Sequence, residues 1–306
     1  MRVEVMARLG VCVLLLIAAD ARAYVRTTSQ HSGAPVAWLE SCVTVAPDKR
    51  GSVDVPIDLV EETLARAAQN WTEHTGACGY LALSTAPATA VLDVAADGQN
   101  AVVFRHDVWA RPGGMPHDPG AIGLTTVFFV DTPGRLGDAS ILDADVELNG
   151  VNFTFTTDPA SATARPGTII ADLENTLTHE LGHVQGLAHN CWDHLTDAPP
   201  LDNLGNPIPD CNSTLPASIT GATMYPYARM PGETSKRNLT NDDVQGVCDV
   251  YPPTGTPPAC FINVRSGCAA AGAGARSPCG NLPQAIAPLV LLLIAALGLG
   301  RARARR

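Results

Sequence analysis

Lysine is nearly missing from this chain: Lys49 and Lys236 are the only two in 306 residues. The formal net charge is −10, and what remains once a net +1 leader and four terminal arginines are set aside carries −15. A chain of this kind has no basic patch with which to hold a nucleic acid or an anionic lipid, so neither is expected as a partner. Long hydrophobic runs are also wanting. The run Leu9–Ala19 is too short to cross a bilayer, and Ala285–Gly300 stops at sixteen residues, slightly short of a full span. None of the nine cysteines has the spacing of a zinc ribbon, and no EF-hand-like loop occurs. The acidity is therefore read as solvated charge, with a Ca2+ site as the weaker alternative.

Histidine is rare but clustered. Three of eight lie within eleven residues, His179-Glu180-Leu181-Gly182-His183-Val184-Gln185-Gly186-Leu187-Ala188-His189. On a helix His179 and His183 fall four residues apart, stack on one face and can reach one metal ion. Glu180, beside the first ligand, can point at a metal-bound water as general base. Gly186 lets the chain leave the helix in a conformation that other residues resist. The turn brings His189 round as a third nitrogen ligand and leaves the fourth tetrahedral position of a Zn2+ ion for water. Surface histidines on an amphipathic helix are the rival explanation, and the added positions Gly186 and His189 weigh against it.

The chain begins with Arg2 and Arg8, an apolar run, and an Ala21-Arg22-Ala23 cleavage site, which predicts a signal peptide over 1–23 and Tyr24 as the mature N-terminus. Export leaves eight cysteines after the loss of Cys12, an even number suited to disulfides. Cys191 with Cys211 is the best-placed pair; Cys42 with Cys78 and Cys248 with Cys260 are also compatible with the order. One catalytic domain is expected over 24–252. Within it the patterning predicts an early strand at Trp38–Val45 and a helix from about Pro56 to Trp71 with Ile57, Val60, Leu64, Ala67, Ala68 and Trp71 on its apolar face. Strands follow at Tyr80–Ser84, Ala90–Ala95, Ala101–Arg105 and Thr125–Val130. Ile141–Asn149 alternates as an edge strand with one wet face would. The histidine helix is expected over Ala171–Gln185, and a last helix from Thr240 with Asp243 as a near capping box and Val244, Val247, Cys248 and Tyr251 as its buried stripe.

The extended histidine pattern resembles the metzincin metallopeptidases, whose signature includes a methionine turn downstream. Ala222-Thr223-Met224-Tyr225-Pro226-Tyr227 looks like the Met-Tyr-Pro turn of the matrixin branch, and Leu239-Thr240-Asn241-Asp242-Asp243-Val244-Gln245-Gly246 like the run on the matrixins' closing helix. The resemblance covers roughly Val36 to Tyr251. It implies an α+β, zincin-like fold: a twisted, mostly parallel sheet with an antiparallel edge strand, a zinc helix and a C-terminal helix. It also implies that Met224 lies beneath the three imidazoles as an apolar floor. The chain departs from the matrixin pattern in several places. No cysteine stands between Tyr24 and the first domain-like segment to cap the zinc. Asn190 replaces a small hydroxyl residue, and thirty-four residues separate His189 from Met224, a long connection containing Cys191, Trp192 and Cys211. The extra zinc-binding tyrosine of the astacins is not assigned to Tyr225 or Tyr227. His106, His117 and His194 offer only weak spacing for a second zinc.

From 253 to 284 the chain is a Pro/Ala/Gly-rich linker with Cys260, Cys268 and Cys279, and 285–306 is an apolar segment with an arginine-rich end. Together with Gly267-Cys268 this resembles the tripartite tails of bacterial surface proteins of the myxobacterial sorting type; an ordinary membrane anchor is the alternative. The expected function is that of an exported, monomeric zinc metalloendopeptidase, tethered at the cell surface or released, that hydrolyses protein or peptide substrates by Glu180-assisted attack of zinc-bound water. The substrate would lie extended along Ile141–Asn149. The alternative is a surface-anchored adhesion module that keeps zinc for structure.

Overall fold

The computed structural model describes residues 24–253 and, for the backbone only, 291–296. The signal segment 1–23, the linker beyond 253, Cys12, Cys260, Gly267, Cys268, Cys279 and the arginine-rich end lie outside the described residues. Two short strands, β1 (Val25–Arg26) and β2 (Ala37–Trp38), precede β3 (Cys42–Pro47), helix α1 (Ile57–Thr75), β4 (Ala82–Thr85) and β5 (Asn100–Arg105). Next come β6 (Ala121–Phe129), β7 (Ser140–Asn149), β8 (Phe153–Thr156), β9 (Ile169–Asp172) and helix α2 (Leu173–Val184). The chain continues through β10 (Leu187–Ala188), the single turn α3 (Ala217–Thr220) and helix α4 (Asn241–Val250); β11 is Leu291–Ala296.

The main sheet runs β11-β6-β7-β5-β3-β4, with β2 also on β7. Strands β7, β5, β3 and β4 are parallel, while β6 runs antiparallel to β7, and β11 antiparallel to β6. The fold is thus α+β with a mostly parallel sheet and antiparallel strands at one side. Helices α1, α2 and α4 cover one face, where Leu64, Trp71, Leu177, Leu181, Val146, Leu148 and Tyr251 share a core. Among the described residues no helix is long and apolar enough to cross a membrane.

The sheet corrects the expectation for Ile141–Asn149. Strand β7 is central rather than an edge, and its polar row is dry: Asp143, Asp145, Glu147 and Asn149 are all buried. Loops close over that face and supply the missing bonds. Asp143 accepts the backbone N–H groups of Asp97 and Gly98, and Asp145 those of Ala95 and Ala101. Glu147 binds Arg105 and Arg111, each at 2.7 Å. Alternation therefore marks two different buried faces, because a carboxylate can be buried where donors meet it. Ala90–Ala95 is not a strand: the N–H groups of Leu92, Val94 and Ala95 go to the side chains of Asp48, Asp93 and Asp145 instead of to a ladder.

Two boundaries also move. The histidine helix starts at Leu173 because Asp172 caps it, accepting the Asn175 N–H at 2.8 Å, and Ala171 belongs to β9. Ile57 on α1 is partly exposed while Val60 to Trp71 form the buried stripe as expected. The Cys191–Cys211 disulfide is present. Cys78 pairs with Cys248, however, not with Cys42, and Cys248 is thereby taken from Cys260. The reason is tertiary: the end of α1 lies beside α4, bringing two residues 170 apart in sequence to a Cα separation of 5.3 Å.

Candidate metal centre

Helix α2 is buried on all sides, with Leu173, Leu177, Leu181 and Val184 fully inside, so its polar residues must find partners within the protein. His179 and His183 lie one turn apart with ring centroids 4.9 Å from each other. Gly186 takes φ 87°, the left-handed turn expected of it, and a Cβ there would sit 2.8 Å from the Val36 carbonyl oxygen. The chain then enters β10, which pairs with β1, and delivers His189. His189 Nε2 lies 3.3 Å from His179 Nε2 and 3.2 Å from His183 Nε2.

Each ring is oriented from behind by an acceptor. His179 Nδ1 meets the Thr223 carbonyl at 2.5 Å, His183 Nδ1 the Leu187 carbonyl at 2.8 Å, and His189 Nδ1 the Asp193 carboxylate at 2.6 Å. Acceptors at all three Nδ1 atoms put the protons there and leave three Nε2 lone pairs facing one another. Burial also lowers the pKa of all three, so they stay neutral, as ligands must. A cation satisfies such a donor set, and no neighbouring side chain does. Among the described residues these three form the one cluster of three or more His, Cys, Asp or Glu suited to a metal ion. His106, His117 and His194 do not assemble a second: His106 bonds the Gly51 carbonyl, His117 packs edge-on against Trp109, and His194 lies beside Asp210.

Glu180 is fully buried. Its Oε2 accepts from Thr125 Oγ1 at 2.7 Å, and among the described residues its Oε1 has no hydrogen-bond partner. Desolvation raises its pKa to about 7 against the opposing influence of Thr125 and Lys236. Strand β6 makes room for the carboxylate at Gly123, where a Cβ would lie 2.5 Å from Oε1.

The methionine turn is built from α4. Asp243 accepts the N–H groups of Thr223 at 2.9 Å and Met224 at 3.2 Å, and it also caps the helix through Thr240. The turn thus holds His179 through the Thr223 carbonyl while the buried Met224 packs against Gly182 of the helix above. Lys236 is buried nearby: its Nζ donates to the Tyr225 carbonyl and approaches His179 Nδ1 to 3.5 Å, and burial lowers its pKa to about 8. Of the residues the motif singled out, His179, His183 and His189 converge here, with Glu180 beside His179 on the same helix and Gly186 at the turn that follows it. Sequence reasoning missed Gly123, Thr125, Gly182, Asp193 and Lys236. Of these, only the rarity of lysine and a glycine inside a helix left any mark in the sequence.

No known family profile matches the chain, and no curated protein matches it significantly.

Proposed function

We propose that the protein is an exported zinc-dependent endopeptidase with a zincin-like, matrixin-type catalytic domain. The observation that carries this reading is the convergence of three imidazole Nε2 atoms next to a buried glutamate with one free oxygen. His179, His183 and His189 would hold the ion. When bound, zinc supplies Lewis acidity, lowering the pKa of a water towards about 7 and polarising the scissile carbonyl.

The chain's own groups do the rest. Thr125 occupies Oε2 of Glu180, so Oε1 is the atom that takes a proton from water. The Glu180 carboxylate can accept that proton and return it to the leaving nitrogen. Asp243 fixes the turn that orients His179, and Met224 keeps the floor of the site apolar. Export agrees with the disulfides, which persist in oxidising compartments.

Digestion of casein or gelatin with and without a chelator tests the proposal. Cleavage should vanish with chelator and return with added zinc. Cleavage that persists after the metal is stripped would exclude it, and bound zinc without any cleavage would favour the adhesion alternative.

A further inference from the structure

The three ligand rings are not backed alike. His179 and His183 rest on neutral backbone carbonyls, whereas His189 rests on a carboxylate, Asp193, at 2.6 Å. Both partners are largely buried, with side-chain exposures of 3% and 13%.

Asp193 comes from the long connection after His189, and the loop fixes it from both sides. Trp192 donates its N–H to the Pro209 carbonyl at 2.8 Å and accepts that of Cys211 at 3.0 Å, and the Cys191–Cys211 disulfide closes the same crossing. His194 sits at φ 68°, a left-handed conformation that a non-glycine residue keeps only where its surroundings hold it. Its ring is held 3.1 Å from Asp210 and 3.8 Å, centroid to centroid, from Trp192. The Leu195 N–H then takes up Asp193 Oδ1 at 3.1 Å, leaving Oδ2 for the imidazole. The left-handed turn, the disulfide and the contact between His194 and Asp210 thus converge on the placement of one carboxylate oxygen.

We infer that Asp193 is a positioning residue of the metal centre: the stapled loop presents a charged acceptor to His189, fixing its Nδ1–H form and making its Nε2 a stronger donor than the other two rings provide. The loop's function is to complete the metal centre from behind. This rests on the proposed metal site, and the principle is general: a carboxylate bonded to a ligating imidazole orients it and raises its basicity.

Zinc dissociation constants, measured on the full chain by competition with a chromogenic chelator, test the inference together with the visible spectrum of the cobalt-loaded protein. Asp193→Ala should weaken zinc binding roughly 10- to 100-fold. Asp193→Asn, which keeps an acceptor oxygen without the charge, should fall between Asp193→Ala and the parent, and both variants should shift the cobalt bands. If the parent binds zinc and Asp193→Asn matches it in affinity and spectrum, the inference is overturned, whatever Asp193→Ala does. If the parent and His179→Ala bind zinc equally poorly, the metal-site reading itself fails, a result distinct from the first.

Discussion

The thioether of Met224 can pack against helix α2 only where the helix leaves it space. Gly182 provides that space. A Cβ at this position would overlap Met224 Sδ and lie 3.1 Å from Trp71 Cζ2. Trp71 cannot yield, since it is fully buried and its Nε1 donates to the Thr178 carbonyl at 2.8 Å. Gly182→Ala, although it improves helix propensity, should therefore destabilise the protein by about 1–3 kcal/mol in urea denaturation; a gain in stability would contradict the packing described. Thr125 gives a second test at this scale. Thr125→Val removes the hydroxyl that holds Glu180 Oε2 and should lower kcat/KM roughly tenfold, about the worth of one hydrogen bond to a charged group, with zinc content unchanged. A variant as active as the parent would show that the hydroxyl does not position the base. His179, Glu180, His183, Gly186 and His189 could be read in the sequence because helix geometry and one turn set their relations. Gly182, Thr125 and Asp193 could not, because their partners arrive from other elements.

At the scale of the element, β7 shows where pattern reading reaches its limit. Its alternation is real, with Ala144, Val146 and Leu148 in the helix-side core, but period two cannot tell water from a polar loop on the other side. Two buried aspartates are the consequence. Burial and the neighbouring Asp143 raise the Asp145 pKa to about 8, and burial also raises that of Asp143, with Asp97 adding repulsion. The folded protein then keeps a proton that the unfolded chain releases near pH 4. The sign follows: stability is greatest below that range and declines as the pH rises towards about 8. Buried Glu180 adds a slope of the same sign in the metal-free protein. Urea midpoints of the metal-free protein measured between pH 5 and 8 should fall with pH, and less steeply in Asp145→Asn. Equal slopes would remove Asp145 from the account. Helices α1 and α4 are legible because a one-sided apolar stripe and, for α4, a capping box are local features.

Across the whole molecule, what escapes the sequence is mostly the pairing of distant parts. Cys78 and Cys248 could be matched only once α1 and α4 were seen to lie side by side. Strand order likewise decides that β6, and not β7, is the strand meeting Glu180, since Gly123 and Thr125 both touch it. The long loop after His189 reaches the back of that imidazole through Asp193. The central claim, that His179, His183 and His189 hold a zinc ion which Glu180 needs in order to cut peptides, combines all three scales. Its most direct test is to measure bound zinc and peptide-library cleavage on the same samples of the parent and of Glu180→Ala. One zinc per chain in both, with cleavage reduced by about 10²-fold or more in the variant, is the predicted result; equal cleavage by the two proteins, or a parent that cuts without zinc, would contradict it.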